Sequence, residues 1–324
     1  VILPLLLVVL AVASGGCGAP FAEGSSRELI IVSALAEDSP ELLLLRAVLE
    51  RPAIRIDDES AYHIRFAKPG EPHALRAPNV IVAGFGPGDE IRIPKGRVLR
   101  EALARASKHY AFVPDLWRRG QAAGIFWTKT REEWMPALSR DQNRVFLELD
   151  RATFAAVRER VRALPRDARA ERLLEDSLGI RLAVPRGFHA RVDRAREAAL
   201  LLDEGPPARL LRIRRVEGHA ATEAAEDRDL REARSELARL FRPQERTLDD
   251  RDPMLVPDEM AGATRRLHGR WSDEGVSAAG PYRFYEIRRG AKRYDVDLAV
   301  FAPGHAKLPH LRELQVVAES LSEP

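Results

Sequence analysis

Few side chains in this sequence are placed to do chemistry. Its single cysteine, Cys17, is the one strong nucleophile, since a thiolate attacks where a serine hydroxyl needs a neighbouring base. Histidines stand at 63, 73, 109, 189, 219, 268, 305 and 310. None adopts the His-Glu-x-x-His spacing that sets two imidazoles on one helix face, and one thiol alone makes no zinc site. Asp295 and Asp297 would share one face of a strand, and Asp249, Asp250 and Asp252 crowd a loop. Grouped carboxylates can hold Ca²⁺ or Mg²⁺, but a solvated strand face and an acidic turn are the plainer account, and no metal is expected. There is no Gly-x-Ser-x-Gly elbow. His268, near Trp271 and Ser272, reads as an exposed loop histidine rather than a general base. Gly84-Phe85-Gly86-Pro87-Gly88 lacks the Lys-Ser/Thr of a phosphate loop. Pro87 also removes a backbone donor, so a tight turn is expected there. No catalytic residue and no cofactor emerge.

The setting of Cys17 is more informative. Residues 1–13 are apolar apart from Pro4, and the first charge is Glu23. A run of that length is too short to span a bilayer and suits the apolar region of a signal peptide. Ala13-Ser14-Gly15-Gly16-Cys17 then resembles the lipobox of bacterial lipoproteins. The resemblance implies removal of 1–16, thioether attachment of a diacylglyceryl group at Cys17, and anchoring by two or more acyl chains. Residues 18–26 read as a flexible tether. Gly18 is not an aspartate retention signal, which favours an outer-membrane destination in a two-membrane cell. The alternative is ordinary cleavage at Ala11-Val12-Ala13, leaving a free thiol.

Composition narrows the class further. The chain has 324 residues, 45% of them hydrophobic and 31% charged, enough for a sizeable core and incompatible with general disorder. Fifty-two Lys and Arg against 49 Asp and Glu are interspersed, without the basic stripe of a nucleic-acid binder. The densest basic stretch, Arg209, Arg212, Arg214 and Arg215, could touch anionic headgroups, but reads more simply as the wet face of a strand. Trp117, Trp127, Trp134 and Trp271 could line a groove; with aromatics at 6%, core positions are expected.

The elements that would position these groups alternate along the chain. Apolar β-branched runs predict strands at 28–34, 79–85 and 123–130. Ser39 and Pro40 predict a helix start. Residues 131–164 read as mostly helix and 166–177 as another helical piece. Further strands are expected at 179–184 and 208–216, a helix at 223–241, a loop at 248–262, a hairpin of 282–288 with 293–301 around Gly290, and a helix at 308–321. The fold class is therefore α+β, with two sheet-and-helix units, 27–165 and 166–324. Their similar element order raises the idea of a diverged duplication.

Three stretches together resemble one uncharacterised bacterial lipoprotein family, domain of unknown function 4837. They are Trp117 with Gly120 and Gln121 before a strand; Gly179 through Pro185 and Gly187; and Gly269, Trp271, Gly280, Pro281 and Pro303 before a Leu-rich terminal helix. The similarity implies a lipid-anchored envelope protein and supplies no reaction, cofactor or catalytic residue. Exported residence, membrane attachment through the lipid, and non-enzymatic binding of an envelope protein or small ligand form the leading expectation, with no nucleic-acid partner. A hydrolase assembled only in the fold, or a structural spacer, are the alternatives.

Overall fold

Strands buried on both faces carry continuous apolar runs, and the first sheet is built from three of them. A computed structural model describes residues 20–54, 59–87, 91–106, 109–205, 207–216, 229–248, 260–290 and 292–323. The expected signal segment, Cys17 and the Asp249–Asp252 cluster lie outside these residues.

The strands β1 (Glu28–Val32), β2 (Pro52–Ile54), β3 (Glu59–Ser60), β4 (His63–Ala67), β5 (Asn79–Phe85), β6 (Tyr110–Pro114) and β7 (Ala122–Thr128) occupy the first half. The helices there are α1 (Pro40–Leu49), α2 (Gly96–Ala106) and α3 (Arg131–Arg162). A five-stranded sheet has the order β4-β1-β5-β7-β6; only β6 runs antiparallel to its neighbour. Ser39 caps α1 by accepting a hydrogen bond from the Leu42 amide, with Pro40 in the first turn.

The second half holds α4 (Ala168–Leu178), β8 (His189–Asp193), β9 (Ala198–Asp203), β10 (Ala208–Val216), α5 (Leu230–Phe241), β11 (Glu245–Thr247), β12 (Ala263–Asp273), β13 (Ala278–Arg289), β14 (Lys292–Phe301) and α6 (Leu308–Glu319). Its seven-stranded sheet, β11-β12-β13-β14-β10-β9-β8, is antiparallel throughout. The two sheets thus follow different pairing plans, and the described strands give the halves no common topology.

Period-two alternation sorts the strand residues onto two faces. Leu29 and Ile31 of β1 join α1, α3, α4 and α6 in a core that also takes Leu211 and Ile213 of β10 and Val296, Leu298 and Val300 of β14. Ile30 and Val32 instead pack under α2, and Leu210 and Phe284 under α5. The helices of the middle layer therefore lie between the sheets, with α2 and α5 outside. No helix among the described residues is long and apolar enough to cross a membrane.

Three expectations are corrected. Residues 179–184 form no strand: Gly179 is the left-handed C-cap of α4, at φ 61°. Beyond it, Arg181 makes only an isolated bridge to Ser322, while Ile180, Leu182 and Val184 plug the core. Residues 20–26 are docked rather than loose. The Ala22 amide donates to the Arg119 carbonyl at 2.9 Å, the Arg119 amide to Pro20 at 3.0 Å and the Glu23 amide to Arg76 at 2.9 Å. Finally, the Arg face of β10 is not wet. Arg212, Asp295 and Asp297 are completely buried, because α5 covers that side of the sheet.

Candidate functional site

Two concentrations of buried charge organise the molecule. Under α5, Arg212 of β10 and Arg234 of α5 both contact Glu245 of β11 and Asp297 of β14, and all four side chains are inaccessible to water. Arg234 reaches Glu245 at 2.5 Å and Asp297 at 3.2 Å, and stacks 4.2 Å from the Tyr282 ring. Burial pulls the Arg212 guanidinium down, and the two carboxylates more than reverse it, holding it above its ordinary value. The quartet is electrically neutral and shut off from water, so it reads as structural.

The second concentration joins the halves where α3 crosses α6. Asp150 pairs with buried Arg312, Arg158 with Glu319 at 2.9 Å and Arg160 with Glu313 at 3.3 Å. Glu59 caps α6, accepting from the Lys307 and Leu308 amides at 2.8 and 3.0 Å. The Tyr62 hydroxyl lies 3.0 Å from Thr153 Oγ1, and burial pushes its phenol well above the ordinary range.

Beside this seam opens a cleft of about 390 Å³. Its walls are the docked N-terminal residues Gly24, Ser25 and Ser26, Arg160 from the end of α3, Pro207 from the β9–β10 turn, and His305, Pro309, His310 and Glu313 around the start of α6. Ser26 is 4% exposed, and its Oγ has no hydrogen-bond partner. His310 Nδ1 stands 3.5 Å from Glu313 Oε2, close enough for attraction and too long for a well-formed hydrogen bond. Burial raises the Glu313 carboxyl, but His310, Arg209 and Arg160 outweigh it and hold the group below the usual carboxylate range. Arg209 donates to Glu313 at 2.8 Å and to Asp203 at 2.5 Å. Among the described residues no three His, Cys, Asp or Glu side chains are gathered to hold a metal.

The motif residues lie elsewhere and serve the frame. Trp117 donates through Nε1 to the Pro94 carbonyl at 2.9 Å. Gln121, buried, accepts from the Trp117 amide at 3.1 Å and donates to the Leu75 and Ala77 carbonyls. Gly120 lines a small void against Phe21 and Thr153. Gly269 faces Tyr282 across β12–β13, and Trp271 faces Gly280, next to Pro281. At Gly280 an added Cβ would fall 1.9 Å from the Val300 carbonyl oxygen, so the strand approach needs a bare backbone. Pro185 bridges to Arg166 and walls an apolar groove of about 260 Å³. Gly187 and Pro303 occupy turns. Only Pro303 is close in sequence to the cleft.

Trp134 and Trp271 are fully buried, as expected of core. His268 sits within strand β12, half-buried, its ring 6.5 Å from that of Tyr285, and not in an exposed loop. The Arg stretch is absorbed by ion pairs, Arg214 with Asp295 and Glu236, and Arg215 with Glu197. The cleft residues escaped sequence reading because Ser26, Arg160 and His310 are far apart along the chain. Their one visible signal was the pair His305 and His310 flanking a helix start.

No protein-family model matches the chain, so membership of family 4837, expected from the motifs, is not shown. No curated protein matches it. Four solved chains do. One, from Bacteroides thetaiotaomicron, is 10% identical with a TM-score of 0.27, covering 45% of this chain and 45% of its own. Another, LpqN of Mycobacterium tuberculosis, involved in cell envelope biogenesis, is 13% identical with a TM-score of 0.26, covering 45% of this chain and 83% of its own. The match thus spans under half the length of the Bacteroides protein, and both structural similarities are distant.

Proposed function

We propose that this chain is an exported, lipid-anchored cell-envelope protein that holds a small ligand, without chemistry on it, in the cleft beside the α3–α6 crossing. The anchoring part rests on Cys17 and the apolar run before it. The binding part rests on one observation: a concave space of about 390 Å³ lined by Arg160, His305 and His310. A pure spacer gives no reason for such a cleft, whose size falls in the range of small-molecule sites.

Ser26, His310 and Glu313 line the same cleft, which is the composition a hydrolase would use. Two details favour binding over catalysis. The Glu313 carboxylate is occupied by Arg160 and Arg209, and the Ser26 hydroxyl is sealed from solvent. A fluorophosphonate that labels activated serines is expected to leave the protein unmodified; stoichiometric labelling at Ser26 would replace the binder by a hydrolase.

Two measurements test the reading. Metabolic labelling with a lipid precursor should tag the natural protein and fail for Cys17→Ala. Mass spectrometry of small molecules retained after gentle purification from envelopes should find a cargo that Ala306→Trp, which fills the cleft, no longer carries. An unlabelled protein overturns the anchor, and equal cargo in both forms overturns the cleft.

A further inference from the structure

We propose that the ligand group taken by this cleft is a phosphate, a claim that rests on the binding reading above and narrows it. The donors come from three directions. Arg160 closes one side, and Glu313 engages one of the five N–H donors a guanidinium carries. His305 and His310 stand on the α6 side, and Ser25 on the N-terminal side. A tetrahedral oxyanion accepts from several directions at once, whereas a planar carboxylate offers two oxygens in one plane. The α6 N-terminal amides are not the donors, since Glu59 already occupies those of Lys307 and Leu308. Side chains make this site.

The surrounding charges explain how it is tuned. Arg160 and Arg209 are balanced by Glu313 and Asp203, and Lys307 Nζ donates to the His305 carbonyl at 3.1 Å. With the carboxylates so neutralised, an entering oxyanion meets the two imidazoles and the guanidinium donors that Glu313 leaves open.

The phosphate can belong to a soluble ester or to a lipid headgroup. Gly24, on the cleft wall, is seven residues beyond Cys17. That stretch reaches at most about 25 Å when extended, so in an anchored protein the cleft stands within that distance of the headgroups.

The test is calorimetric titration of the purified full chain with inorganic phosphate, and flotation with vesicles of phosphatidylglycerol or of phosphatidylcholine. Saturable one-site binding is expected, weakened at least tenfold in Arg160→Gln and in His305→Gln. His305→Gln guards against loss of the Arg160–Glu313 pair, and unchanged thermal melts show that either variant is folded. Binding of free phosphate with no preference among vesicles assigns a soluble ester; a phosphatidylglycerol preference lost in the variants assigns a headgroup. No binding of either form, or binding indifferent to both substitutions, overturns the proposal. A cargo recovered from envelopes that lacks phosphate overturns it too, while leaving the binding cleft standing.

Discussion

Replacing Asp297 by Asn removes one charge from the quartet and almost no volume. Asp297 serves both Arg212 and Arg234, so the substitution leaves two guanidiniums against the single carboxylate of Glu245. A pair of unit charges near 4 Å is worth about 4 kcal/mol at an effective permittivity near 20, and each buried ion loses several kcal/mol of hydration. The intact quartet therefore adds little net stability. The broken one carries an uncompensated buried charge, for which the expected loss is about 3–5 kcal/mol. Arg234→Met combined with Asp297→Leu should cost less than the sum of its parts. That pair deletes one charge of each sign, and Arg212 keeps both of its contacts to Glu245. Urea unfolding followed by circular dichroism reads both values, with the slope checking that a single transition is compared. A loss under about 1 kcal/mol for Asp297→Asn, the size of a surface pair, or simple additivity in the double variant, would refute the reasoning that these charges are dry and mutually dependent.

Three other outcomes follow from named contacts. Gly280→Ala should destabilise by about 3 kcal/mol, because its new methyl meets the Val300 carbonyl at 1.9 Å; denaturant melts at neutral pH check it, and a neutral result would mean the β13–β14 approach is looser than described. The Tyr62 phenol is raised in the fold, so its contribution is intact below the ordinary value of 10.0 and is lost as the pH climbs beyond it. All five tyrosines are buried, so ultraviolet titration should find their ionisation delayed until the protein unfolds, and Tyr62→Phe should remove one tyrosine's share of that delayed change. Glu313 is lowered in the fold, so its contribution is present above the ordinary 4.5 and disappears as the pH falls through the lowered value. Glu313→Gln should be less stable than the natural protein at pH 6 and converge with it under acid conditions, as read by thermal unfolding across pH; parallel curves would argue against the assignment.

Local rules were enough for many elements. Ser39 and Pro40 start α1, the unbroken apolar run at 79–85 is β5, Gly290 turns the final hairpin, and the apolar spacing of 131–164 becomes α3. Each depends on contacts a few residues apart. The alternation in β10 was legible too, but its meaning was not. Arg212 and Arg214, two residues apart, specify that one face is charged, and not whether water or carboxylates complete it. Glu245, Asp297 and α5 decide that from outside the strand. Residues 179–184 carry a strand-like pattern but pair only at Arg181, with Ser322, outside either sheet. The cleft is the extreme case. Its serines, arginine and histidines come from the N-terminal segment, the end of α3 and the start of α6. Their meeting is a property of how those helices cross between two sheets, which chain order alone does not encode.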